Sequence, residues 1–316
     1  MKTTKLLLAR AAAVLALATL APPTGVWATD GTISGSGTEG DPYLIEDAAD
    51  YAVFANVSNK ATYWASGVYV KLTADIGTAE SPITATVGTT SSNLYCGVFD
   101  GNGKTLTVSI TGYKYAPFSY ISGATIKNLT VQGTISGNSS PQEGLVAYSY
   151  SGTNTISGCH VAVNINSNVS YGGGIVAEMK SSTLTLTDCV YSGSIDTGNY
   201  GEYIGGLVGW SDSGATLTID NCLFKGTYSG NGAFHPIAVR GKNKSVTATV
   251  TRTYYTRQPS KMTDAYTVAP GIFVSATVPD AMYGTANTID GQYYAPVVVT
   301  GISEDAEYDY TGDTLP

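Results

Sequence analysis

Charged side chains are scarce in this sequence: Asp, Glu, Lys and Arg make up 13% of its 316 residues, and acidic residues outnumber basic ones 24 to 16. That balance argues against nucleic acid and anionic membrane as partners, because both require a cationic surface. Histidine occurs only at His160 and His235, and neither has a serine or cysteine neighbour in a nucleophile elbow, so a catalytic triad has no support. Gly172-Gly173-Gly174 lacks the Gly-Lys-Ser/Thr ending of a phosphate loop and leads into a strand, so it reads as a turn. After residue 28 no apolar run approaches the roughly 20 residues that cross a bilayer. Helical stripes are missing too, apart from one short segment near the start.

Glycine, tyrosine and a repeat are what the sequence does have. Gly 37 and Tyr 23, with heavy use of Thr and Ser, favour an all-β chain with many turns, and 43% hydrophobic residues are ample for a core. One pattern recurs at about 30 residues: Ile126-Lys-Asn-Leu129-Thr-Val131, Ile156-Ser-Gly-Cys159-His-Val161, Leu186-Thr-Asp-Cys189-Val-Tyr191, Ile219-Asp-Asn-Cys222-Leu-Phe224 and, degraded, Val250-Thr-Arg-Thr253-Tyr-Tyr255. The match continues at strand spacing through Gly133, Val163, Gly193 and Gly226 to Ile135, Ile165, Ile195 and Tyr228. A unit this short cannot bury its own apolar face, so its copies must stack strand on strand as a solenoid.

Cys159, Cys189 and Cys222 share one inward column. In-register strands about 4.8 Å apart with parallel Cβ vectors do not suit disulfide geometry, so these cysteines read as small buried hydrophobes, and Cys96 is expected to play the same part in an earlier coil. No metal site is expected, because no His or carboxylate accompanies them inside.

Four segments are expected: a signal peptide at 1–28, a flexible lead-in at 29–40, a parallel β-helix with its N-terminal cap at 41–258, and a β-rich C-terminal segment at 259–316. The signal reading rests on Lys2 and Lys5, the apolar run Leu6 to Leu20, and a cleavage site after Ala28, which predicts secretion or display at the cell surface. Removing Lys2, Lys5 and Arg10 leaves 13 basic against 24 acidic side chains, a net charge of −11. Glu46 to Val57 reads as the cap helix, with Ala48, Tyr51, Ala52 and Ala55 on one face. The ending at Pro316 resembles the opening of a further β module, as in a truncated reading frame.

A second strand follows in each repeat: Gly144-Leu-Val-Ala147, Gly174-Ile-Val-Ala177, Gly206-Leu-Val-Gly209 and Pro236-Ile-Ala-Val239. With Gly205-Gly-Leu-Val-Gly209, the run Phe99-Asp-Gly-Asn-Gly-Lys-Thr-Leu106 and the opening Gly40-Asp-Pro-Tyr-Leu-Ile45, the sequence resembles exported bacterial proteins of the GLUG-motif type over roughly residues 38 to 256. The resemblance implies a right-handed parallel β-helix and an adhesin-like role, and names no reaction or cofactor.

Catalytic β-helices need carboxylates projecting from adjacent coils of one sheet. The outward places of the long strand hold none, running from Thr130, Gln132 and Thr134 through His160, Ala162 and Asn164 to Val190, Ser192 and Ser194, then Leu223, Lys225 and Thr227. Asp188, Asp220 and Asn221 fall at the corner before that strand and read as turn residues. If Leu145, Ile175, Leu207 and Ile237 face inward on the second strand, alternation sends Tyr148, Glu178, Trp210 and Arg240 outward, beside a loop carrying Tyr200, Glu202 and Tyr203. Aromatic rings next to polar groups suit sugar rings, so Tyr148, Glu178, Tyr200, Tyr203, Trp210 and Arg240 form the candidate ligand site.

The sequence therefore favours a non-enzymatic surface β-helix for adhesion, display or glycan binding, whose partner is a glycan or a host or cell-surface protein. The alternatives are a polysaccharide lyase or glycoside hydrolase, and a stalk for a missing downstream domain.

Overall fold

In a computed structural model the chain is a right-handed parallel β-helix of about six coils. The structure describes residues 32–255 except 113–114, 138–141, 169, 202, 231–233 and 240–243, and beyond them four short strands between 287 and 311. The segment read as a signal peptide thus lies outside the described residues. No helix among them is long and apolar enough to cross a membrane.

Four parallel sheets line the solenoid. Sheet I has eight strands, from Tyr43–Ile45 to Thr247–Thr251. Sheet II begins with Thr105–Thr111, Thr130–Gly137 and His160–Ser167 and continues as shorter pieces to Tyr254–Tyr255. Sheet III stacks Gln142–Glu143, Tyr171–Gly173, Tyr203–Gly205 and Phe234–His235, and sheet IV stacks Phe118–Ser122, Val146–Ser151, Val176–Met179 and Val208–Ser211. Repeat partners pair in register, as in Ile156 with Leu186 and Leu186 with Ile219.

One residue turns the chain from sheet I into sheet II. Asn128, Asp188, Asn221 and Arg252 all have left-handed backbone, φ between 43° and 56°, and Gly158 takes the same place with φ 60°. That conformation costs most L-residues roughly 1–2 kcal/mol, and Gly, Asn and Asp tolerate it best. The turn reading of Asp188 and Asn221 therefore holds, with Asn221 Nδ2 donating to Asp188 Oδ1 along the stack, whereas Asp220 is the last residue of the strand Thr216–Asp220 and pairs with Arg252.

The predicted inward columns form the core. Leu129, Cys159, Cys189 and Cys222 are each at most 2% exposed, and all four cysteines are free thiols. Each column thiol donates to carbonyls of the coil wall, Cys189 to Thr187 O at 3.0 Å for example, while burial pushes the thiols of Cys159 and Cys189 well up. Cys96 differs: it is half-buried in the turn before Val98–Asp100, because that turn leads into sheet I and not out of it. Two residues past the cysteine position, volume is exchanged between neighbours. Val161 is followed by Val163, whereas Tyr191 and Phe224 are followed by Gly193 and Gly226; a Cβ on Gly226 would lie 2.6 Å from the Tyr191 ring. The Tyr191 hydroxyl donates to Val163 O at 2.9 Å, and its ring stacks on Phe224.

On sheet I the outward columns are threonine, Thr153 with Thr183, Thr216 and Thr247, and Thr155 with Thr185, Thr218 and Thr249. β-Branched ladders of this kind stabilise stacked strands.

The cap helix spans Ala48–Ala55, and Asp47 caps it by accepting from the N–H groups of Ala49 and Asp50. Its buried face is Tyr51, Phe54 and Ala55; Ala48 and Ala52 are exposed, because the helix is anchored by Phe54 stacking on Phe99 at 5.5 Å. A second short helix, Lys60–Tyr63, was not legible in the sequence, and the Nε1–H of the following Trp64 donates to Phe54 O at 2.7 Å. The lead-in is tied down from residue 32: Ser34 bridges Leu44, and Ile33 N donates to Tyr63 Oη. In the C-terminal segment, Asn287–Ile289 pairs with Gln292–Tyr294 and Val298–Thr300 with Asp309–Thr311, both antiparallel.

Candidate functional site

The chain leaves sheet III through a glycine corner and doubles back as sheet IV. A Cβ on Gly173 would lie 2.0 Å from Val176 O, and one on Gly205 1.8 Å from Val208 O; one on Gly209 would meet Gly172 O at 2.3 Å. No other residue fits these places, so the Gly-Gly-Ile-Val and Gly-Gly-Leu-Val runs exist to let two backbones touch. The consequence is that sheet III lies against the outer side of sheet IV.

Leu145, Ile175, Leu207 and Ile237 point into the core, each at most 1% exposed, as the alternation required. Val146, Val176 and Val208 also join the core, so simple alternation fails at the corner itself. Beyond it, Tyr120, Tyr148, Glu178 and Trp210 stand side by side in register on sheet IV.

That column is not the open platform expected. Tyr148 and Glu178 are each 5% exposed and Tyr203 is 8% exposed. Tyr120 stacks on Tyr148 at 4.4 Å, and Trp210 is half-buried against Tyr171 at 4.7 Å and Tyr203 at 4.4 Å, both tyrosines coming from sheet III. Tyr171 is not among the candidate residues, yet it precedes Ile175 by the four residues that separate Tyr203 from Leu207, a spacing the repeat alignment contains. Tyr200 is 57% exposed in a turn closed by Tyr200 N donating to Thr197 O, and no ring contact joins it to the cluster among the described residues. Arg240 and Glu202 lie outside the described residues.

Cations border the column. Lys180 pairs with Glu178 and stands 5.9 Å from the Tyr148 ring; Lys244 pairs with Asp212 at 2.7 Å and stands 5.8 Å from the Trp210 ring. Glu143, the sheet III residue of the first such coil, is fully buried, and neither carboxyl oxygen has a hydrogen-bond partner among the described residues. Burial, with Glu178 nearby, holds its carboxyl well above the usual range. Glu143 is thus sealed from solvent and out of a substrate's reach, whereas Glu178 keeps a small exposed edge beside its partner Lys180.

On sheet II most outward places are as expected, but Val190 and Leu223 are 3% and 1% exposed. His160 is half-buried: its Nε2 shares a hydrogen bond of 2.7 Å with Ser192 Oγ, and burial with Lys225 nearby lowers its pKa to about 4. His235 is buried and accepts from Ile237 N at Nδ1. Among the described residues no three His, Cys, Asp or Glu side chains gather as a metal-sized cluster.

No family model matches the sequence, and no curated protein matches it. Among solved structures, the chain is similar to one described as a "putative immunoglobulin A1 protease" from Bacteroides ovatus, at 18% identity and a TM-score of 0.46, over 80% of this chain and 84% of that one.

Proposed function

We propose that this is an exported bacterial surface protein of the GLUG-motif type that binds glycans for adhesion or display and catalyses no reaction. The observation that carries this reading is the aromatic layer outside the solenoid core. The coils are already held by the inner columns, so Trp210, Tyr171 and Tyr203 are not needed to close them, yet these rings are gathered in one cluster with Trp210 and Tyr171 still half-accessible. Rings presented edge and face next to Lys244, Glu178 and Lys180 suit the apolar faces and hydroxyls of sugars. Tyr148, Glu178, Tyr203 and Trp210 build the floor, and Tyr200, three residues before Tyr203, is exposed. The sealing of Glu143 weighs against the glycosidase alternative, which needs its acids at a groove.

A glycan-array screen of the purified protein beside its Trp210→Ala variant tests the reading. Binding lost in the variant supports an aromatic glycan site. Binding by neither protein overturns it and leaves the solenoid as a scaffold.

A further inference from the structure

The outer face of sheet II is interrupted at its N-terminal edge. The first coil contributes no continuous strand there, only Ile76 and Ile83, which bridge Leu106 and Val108 in turn. Ile76 N donates to Thr105 O and Ile83 N to Thr107 O, both at 2.8 Å, so the six residues between them are excluded from the sheet. They leave it through Gly77, at φ +79°, where a Cβ would lie 2.6 Å from Thr107 O. The loop stands up as a wall, and Ala79 and Pro82 form its inner side.

Against this wall lie two adjoining clefts of about 490 and 470 Å³ that share Gln132 and Ala162 as floor. Both fall within the usual range of small-ligand sites. The trough runs along the strands, from Lys104, Asp75 and His160 at one end to Thr134 and Asn164 at the other. Its one acidic and one basic side chain balance each other, and all other polar groups are hydroxyls, amides and an imidazole that is neutral at physiological pH.

The amides are oriented by neighbours and keep unused valence. Gln132 Nε2 donates to Thr107 Oγ1 at 3.1 Å, which leaves its carbonyl oxygen as an acceptor. Asn164 Oδ1 accepts from Ser194 N and Oγ, which leaves its NH₂ as a donor. Fixed acceptors and donors in a row of uncharged groups match sugar hydroxyls, each of which both donates and accepts. A polyanion finds no excess of cations here, and the face of a sheet, unlike its edge, has no free backbone ladder for a peptide strand.

We propose that this trough binds a stretch of a neutral saccharide chain lying along the strands, at a site separate from the aromatic layer on sheet IV. The proposal rests on the glycan-binding reading above but places a second site on a different sheet.

The test uses the purified full-length protein with neutral cello-, xylo-, manno- and chito-hexaoses, uronic-acid hexamers and a set of extended hexapeptides, and measures binding by titration calorimetry. Ala162→Trp fills the floor of both clefts, and Asn164→Ala removes one exposed donor without threatening the fold. The expected result is binding of a neutral hexaose, weakened at least tenfold by Ala162→Trp and severalfold by Asn164→Ala at unchanged melting temperature, and retained in Trp210→Ala. Binding that survives both sheet II variants and disappears in Trp210→Ala overturns the trough and keeps the aromatic site. Preference for the uronic-acid or peptide probes, or failure to bind any neutral hexaose, also overturns it.

Discussion

Glu143 and Gly173 are register partners in adjacent coils of sheet III, yet the first carries a fully buried carboxyl where the second has no room for a methyl group. The difference makes stability depend on pH in a stated direction. In the fold the Glu143 carboxyl is held neutral, its pKa well above the ordinary value of 4.5, whereas the unfolded chain ionises in the ordinary range. A raised acid is neutral in both states below that range, and stability falls as pH rises from there toward the folded value. Glu143→Gln should flatten this decline, giving equal melting temperatures near pH 4 and a higher one than the parent at pH 8. Calorimetry at both values checks it, and a variant that melts lower at pH 8 sinks the assignment.

His160 acts with the opposite sign. Its folded pKa is about 4 against an ordinary 6.5, so the unfolded chain takes up a proton first as pH falls. The loss of stability begins near 6.5 and is complete below about 4, and the buried His235, also lowered, adds to it. His160→Gln should remove part of the acid lability between those values while leaving the melting temperature at pH 8 within a few degrees. A melting curve against pH that the variant does not change refutes the role.

The corner between sheets III and IV predicts a contrast between glycines. Gly205→Ala drives a Cβ to within 1.8 Å of Val208 O, backbone that cannot step aside, and should cost more than about 2 kcal/mol or prevent folding. Gly40→Ala meets nothing within 4 Å and should change stability by less than about 0.5 kcal/mol. Urea unfolding of the two variants separates them.

The cysteine column predicts another pair. Cys189→Asp buries a carboxylate with no cation to meet it and should cost more than about 3 kcal/mol, whereas Thr134→Asp, exposed on the outer face, should be nearly silent. Equal effects in thermal melts contradict the inward placement. In the same spirit, thiol labelling of the native protein should modify Cys96 before any of the other three.

The inward columns, Cys159, Cys189 and Cys222 as packing groups, the corners at Asp188 and Asn221 and the cap at Tyr51 were legible in the sequence, whereas the half-buried place of Cys96 was not. A solenoid turns a period along the chain into neighbours in space, so Ile156, Leu186 and Ile219 meet because they recur at one interval, and the volume exchange between Tyr191 and Gly226 follows from the same alignment. The sequence alone therefore determined the stacking and what points inward. It did not decide what covers the outward residues, because that depends on where the chain doubles back and not on its period. The glycine corner brings Tyr171 and Tyr203 of sheet III against Trp210, which alternation had turned outward, and Tyr148 stacks on Tyr120 of the coil before it. The excursion between Ile76 and Ile83, which belongs to one coil only, raises the wall that makes Gln132, Ala162 and Asn164 a trough. Both are contacts between non-repeating segments, and only the tertiary structure brings such segments together.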